Sequence, residues 1–354
     1  MELQNVRSLA VFKLRNIGDV LMITPVLRAL RETFPGARIT AVVNSGTEAM
    51  LAHNPHVDEV LAYRRGGGLR DEIAFARGLR RRRFDQTIGF TEGQRTAWYS
   101  LLCGARYRIG VDKKRKNERH WAYNIPIYPV GNMHEVETHF AMLANAGVEL
   151  RNPKPGPLCL IVPEEMRVWA REQLAPLRPA RIVHVHPVSR WLWKCWDNAS
   201  MAAVIDWLQA ERGARVVVTS GPAEKERETA RAILAQCRTS PLFFEGNLSL
   251  SQTAALSAES DGYFGVDTAP MHMAAAVGVP VVALFGPTHA KNWGPWTPLG
   301  RVLAKPCICN DPHSGQRCDW SRTRACLAAI TVQEAEVALD EMLTMRKIDP
   351  ASVI

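Results

Sequence analysis

The chain has 354 residues, 47% hydrophobic and 22% charged, which excludes a disordered chain and is enough for two domains of average size. No apolar run reaches the roughly 18–20 residues of a membrane helix, and the opening MELQNVRSLAVFKLRN, broken by Lys13, does not read as a signal peptide. A cytoplasmic protein with reduced cysteines is expected, and its net charge of +9 is concentrated in residues 1–150, with 22 Lys and Arg against 15 Asp and Glu.

In chain order, SLAVFKL (8–14) reads as a strand, 19–34 as a helix, and ARITAVVN (37–44) as the next strand. A short helix (46–54), a strand (58–63), a helix (69–82), the strand FDQTIGF (84–90) and a helix (93–103) follow. Short apolar strands alternating with helical patterns indicate a parallel, doubly wound sheet. RNPKPGPLCLIVP (151–163) is too rich in proline to continue a helix. The alternation then restarts, with strands at 181–187, 214–221, 241–246, 262–267 and 280–286 and helices at 197–212, 223–236, 251–258 and 269–277. The expected architecture is α/β, with two Rossmann-like domains (1–155 and 156–330) facing a central cleft. The segment 331–354 carries a last helix (332–346), expected to pack back across the first domain. In such sheets ligands meet the strand-to-helix loops at the carboxyl ends of the strands.

The first loop carries Gly18-Asp19. Asp19 can be read as a first-turn carboxylate favoured by the helix dipole, or as a general base that deprotonates an acceptor hydroxyl. In HPVSRWLWKCWDN (186–198), Ser189 offers a donor, and Arg190 and Lys194 place positive charge ahead of a helix. Cations and free amides at a strand end suit a diphosphate. In TSGPAEKER (219–227), Gly221 makes the turn, and Glu224 or Glu226 could take a ribose hydroxyl or simply start a helix. The densest loop is FGVDTAPMHMAAAVGVPVVALFGPT, where Asp267, Thr268, Ala269, Pro270 and His272 follow one strand. RGLRRRRFD (77–85) and DKKRKNERH (112–120) read as solvated basic faces or as a surface for an anionic acceptor. Cys307, Cys309, Cys318 and Cys326 lack paired C-x2-C knuckles, so no metal site is expected there. No G-x-G-x-x-G or Walker loop is present, which argues against a dehydrogenase and an NTPase.

FKLRNIGDVLMITPVLRALRETFPGARITAVV, HPVSRWLWKCW and GVDTAPMHMAAAVGVPVVALFGPT together resemble the bacterial ADP-heptose:lipopolysaccharide heptosyltransferases of glycosyltransferase family 9. SRWLWKCWDN with NPHVDEVLAY resembles the heptosyltransferase III branch. The resemblance implies a GT-B, metal-independent, inverting transferase without a cofactor. The acceptor, the lipid A–inner core, would bind the N-terminal half and ADP-heptose the C-terminal half. It places the base on Asp19, the basic diphosphate position on Lys194 with Ser189 and Arg190 beside it, and donor contacts on Asp267, Thr268 and His272. Its ribose-contacting acid falls on Glu224 or Glu226. Action at the cytoplasmic face of the inner membrane is then expected, through the membrane itself or only through the lipid substrate. Three rivals remain: a family member using another nucleotide sugar, a GT-B-like sugar-nucleotide epimerase, and a nucleic-acid-binding protein suggested by charge alone.

Overall fold

A computed structural model describes residues 6–112, 121–128, 131–306 and 325–348. The chain divides into two compact units, Met1–Ile161 and Val162–Ile354. The first contains strands β1 (Ser8–Lys13), β2 (Arg38–Asn44), β3 (Glu59–Tyr63), β4 (Gln86–Gly89), β5 (Tyr107–Val111) and β6 (Ile125–Ile127). The second contains β7 (Ile182–His186), β8 (Arg215–Thr219), β9 (Leu242–Phe244), β10 (Gly262–Val266), β11 (Val281–Phe285) and β12 (Gly300–Ala304).

The sheet orders are β3-β2-β1-β4-β5-β6 and β12-β11-β10-β7-β8-β9. Every ladder is parallel. Each unit is therefore a Rossmann-like sheet, with one strand order repeated and a topological switch point at β1/β4 or β7/β10. Register places Leu9 opposite both Ile39 and Gln86, and Gly262 opposite Val183. The central strands are buried along nearly their whole length, which is why they read as continuous apolar runs rather than alternating ones.

The helix expected over 19–34 is two helices, Ile17–Leu21 and Thr24–Thr33. Pro25 has no N–H to offer the preceding turn, and Thr24 closes the break by donating its hydroxyl to the Leu21 carbonyl at 2.8 Å. The short helix expected at 46–54 is a single 3-10 turn, Glu48–Met50. The first unit extends through Ile161, beyond the boundary expected at 155. Part of this extension is pinned to the first unit, since the Cys159 amide donates to the Thr24 hydroxyl at 3.0 Å. The final helix, Val332–Thr344, was expected to pack back across the first domain. Its buried face (Ala335, Ala338, Leu339 and Met342) lies instead in the second unit's core with Val183, Phe264 and Leu284.

Candidate active site

In the first unit, β1 ends beside β4 and feeds the helix Ile17–Leu21. Asn16 is its extended N-cap and Asp19 its third residue. Asp19 Oδ2 accepts from the Asn16 amide at 3.3 Å and from Asn16 Nδ2 at 3.2 Å, so the carboxylate closes a capping box. The capping reading therefore describes a real contact. Asp19 is also only half-buried, at the carboxyl edge of the sheet where ligands of this fold class are met.

Behind it is a cluster that the sequence reading missed. Lys13, the last residue of β1, is 1% exposed and donates to Glu135 Oε1 at 2.7 Å. Its Nζ also lies 2.9 Å from His139 Nε2, and His139 in turn lies 3.3 Å from the same Glu135 oxygen. Glu135 and His139 stand one turn apart on the helix Glu135–Asn145. The Met22 carbonyl, at the C-cap of the Asp19 helix, also favours the protonated ring. Lys13 thus ties the helix Glu135–Asn145 to the end of β1, just ahead of the Asp19 segment.

Burial pushes the His139 imidazole down to about 4, helped by the Lys13 ammonium, so it is neutral at pH 7. Burial opposes ionisation of Glu135, but Lys13 and His139 outweigh it and hold that carboxyl below its usual range. Because the folded pKa of His139 lies below its unfolded value of about 6.5, the unfolded chain binds more protons between those two pH values. His139 thus contributes stability that is present above that unfolded value and is lost as the pH falls toward its folded pKa, by roughly 1.4 kcal/mol per unit. Thermal melts of His139→Gln should therefore show a shallower loss between pH 6.5 and 4.5 than the parent. Parallel profiles would count against the assignment.

In the second unit, the loop after β7 holds a short turn, Leu192–Lys194, ahead of the helix Asn198–Ala210. Lys194 Nζ lies 2.5 Å from Asp267 Oδ2, and both residues are buried. Thr288, after β11, donates to the same Asp267 oxygen at 2.5 Å. The ammonium also lies 5.0 Å from the Trp191 ring centre and 5.5 Å from that of Trp193, which form a stacked pair. Arg190 covers the Trp191 ring at 4.4 Å, and buried Ser189 accepts the Trp191 amide at 3.3 Å. Three loops, after β7, β10 and β11, thus converge on one carboxylate at the switch point.

Thr268 caps the helix Ala269–Ala276 in extended conformation, Pro270 opens its first turn, and His272 is buried on it. The amide end of this helix is a ready anion site beside Lys194. The two candidate ribose acids separate clearly. Glu224 is exposed and occupied by Arg227 and Arg231 on its own helix. Glu226 is buried, its pKa raised by that burial, and it packs so closely over Gly221 that a Cβ there would collide with its carboxylate. The positive charge of Arg190 partly offsets that rise.

Beneath these loops, His184 Nδ1 meets Ser257 Oγ at 2.7 Å and its Nε2 meets Thr219 Oγ1 at 2.8 Å. His186 Nδ1 meets the same hydroxyl at 2.8 Å. Burial takes these rings down to about 3 and about 4. They are neutral hydrogen-bonding groups that tie β7 to β8. The HVH run in RIVHVHP was visible in the sequence, but its partners Ser257 and Thr219 were not.

Among the described residues, no group of three or more His, Cys, Asp or Glu stands together as a metal site. Cys307, Cys309 and Cys318 lie outside the described residues, whereas Cys326 is buried. Most of DKKRKNERH (112–120) also lies outside them.

The family model for glycosyltransferase family 9 (heptosyltransferase) matches residues 73–318. Lipopolysaccharide heptosyltransferase 3 of Escherichia coli K12 is 30% identical over 338 residues, 93% of this chain and 96% of the relative. A family 9 glycosyl transferase from Veillonella parvula DSM 2008 superposes with a TM-score of 0.85 at 22% identity, over 97% of this chain and 98% of that one. E. coli heptosyltransferase WaaC, solved with ADP-2-deoxy-2-fluoro heptose, gives 0.68 at 19% identity over 94% and 99%. These structures share the GT-B fold with its two Rossmann-like domains.

Proposed function

The chain belongs to glycosyltransferase family 9, the heptosyltransferases, and from that membership we propose that it moves a heptose from ADP-heptose to an inner-core heptose of lipopolysaccharide, inverting the anomeric centre without a metal. The observation that carries the donor half of this reading is the Lys194–Asp267–Thr288 cluster at the strand ends. Lys194, Arg190 and the amide end of the helix Ala269–Ala276 supply the positive charge that a departing diphosphate needs. Glu226, against Gly221, is the acid assigned to the ribose. The donor sugar is taken from WaaC, solved with a fluorinated ADP-heptose, and the branch from the relative named heptosyltransferase 3.

In the proposed step, Asp19 accepts the proton of an acceptor hydroxyl as its oxygen attacks the anomeric carbon. The bond to the diphosphate breaks and ADP leaves with the electron pair. A single displacement of this kind inverts the centre. Asp19 then returns the proton to solvent. The rival epimerase reading needs no acceptor, and the family match favours transfer.

The test is purified protein with ADP-heptose and a core acceptor lacking the branch heptose, read by mass spectrometry of the glycolipid. A product one heptose heavier, formed from ADP-heptose and not from UDP- or GDP-sugars, is expected. Turnover of the sugar nucleotide with solvent deuterium incorporation in the absence of acceptor would favour the epimerase instead.

A further inference from the structure

The basic surface of the first unit is not used by the site just described. Arg70, Arg77, Arg80 and Arg81 lie on the outer side of the helix Leu69–Arg81, all exposed, and among the described residues none pairs with a carboxylate. The nearby acids are engaged elsewhere. Asp71 accepts the Gly68 amide at 3.1 Å, Glu72 turns inward to the hydroxyls of Tyr63 and Tyr99, and Glu59 holds Arg82.

The same outer side carries apolar groups in open water. Leu69 is 77% exposed and Ile73, one turn on, is 41% exposed. The adjoining helix Gln94–Leu102 adds Trp98 at 52% and Leu102 at 41%. The two helices are locked side by side beneath this surface by Phe75 and Tyr99, whose rings meet edge-on at 5.1 Å. Arg80 Nη1 reaches the Leu102 carbonyl at 3.5 Å, and Trp98 rests on Trp121 with ring centres 4.5 Å apart. Of the ten large hydrophobic residues exposed among the described residues, four belong to these two helices and a fifth is Trp121, which rests on Trp98.

From this surface we infer a docking face for an anionic phospholipid bilayer, formed by the helices Leu69–Arg81 and Gln94–Leu102. Guanidinium groups meet lipid phosphates while leucine, isoleucine and indole side chains sink below the headgroup plane, which is the chemistry of an interfacial helix. A nucleic-acid surface accounts for the arginines but leaves Leu69 and Ile73 without a role. A second copy of the chain would bring one unneutralised arginine cluster against another. Among the described residues, no helix is long and apolar enough to cross a membrane, so the contact would be peripheral.

The experiment is co-sedimentation of the full chain with phosphatidylcholine vesicles, with or without phosphatidylglycerol, carrying neither donor nor acceptor. It is read without turnover, so it stands or falls separately from the transferase assignment. Binding is expected only to the anionic vesicles. The triple charge reversal Arg77→Glu, Arg80→Glu, Arg81→Glu should weaken it about 100-fold while leaving ADP binding, assigned to the second unit, unchanged. As an independent readout, brominated lipid should quench less fluorescence in Trp98→Phe than in the parent. Equal binding to neutral vesicles, or unchanged binding of the charge-reversed variant, would overturn the inference. So would sedimentation only when the acceptor glycolipid is present, or a dimer that shields Trp98.

Discussion

Asp19→Asn should lower kcat by roughly 10²–10⁴-fold, the usual cost of losing a general base, with little change in melting temperature. The variant is chosen because the carboxylate caps its helix and is also the proposed base. Asn keeps an oxygen that can accept from the Asn16 amide, so the capping box at Ile17–Leu21 persists while the basic group is gone. Asp19→Ala removes both and should lose, in addition, about 1 kcal/mol of stability. ADP binding should be unaltered in both variants, since the residues proposed to bind the donor belong to the second unit. Steady-state rates with saturating donor, set beside thermal melts, separate the two jobs. An Asn variant with parental turnover would leave Asp19 as a cap and nothing more.

Lys194→Ala should weaken ADP binding about 10–100-fold, in line with about 1.5–3 kcal/mol for a hydrogen bond to a charged group. It should also destabilise the second unit, because among the described residues Asp267 is then buried with Thr288 alone donating to it. Removing one partner of a buried ion pair costs about 3–5 kcal/mol, more than the pair itself is worth. A double variant, Lys194→Met with Asp267→Asn, therefore separates structure from ligand binding. It should recover much of the lost melting temperature and none of the ADP affinity. Calorimetry is the direct measurement. Parental ADP affinity in a folded Lys194→Ala protein would remove this lysine from the donor site.

The differing fates of Glu224 and Glu226 show where sequence reasoning stops. Both stand in the first turn of one helix, and neither residue type nor spacing ranks them. Burial does, since one faces arginines in water and the other closes over Gly221. Lys13 is a harder case. In the sequence it marked only an interruption of an apolar stretch. Its partners are Glu135 and His139, more than 120 positions away, on a helix the reading never identified. Contacts of that separation leave no periodic trace.

β5, β6, β12 and the helices Glu135–Asn145 and Glu164–Leu174 went unread, but four strands of the first sheet, five of the second and the loops bearing Asp19, Lys194 and Asp267–His272 were legible in the residues. Each rests on local physics: buried parallel strands must be apolar along their length, and loops at strand ends must carry turn residues and caps. Tertiary structure alone decided that Asp267 receives both Lys194 and Thr288, that a Lys–Glu–His cluster anchors the end of β1 ahead of Asp19, and that the last helix completes the second core. Those are pairings of groups distant in sequence, chosen by which side chains must share a dry interior, and only the packed chain determines which ones meet.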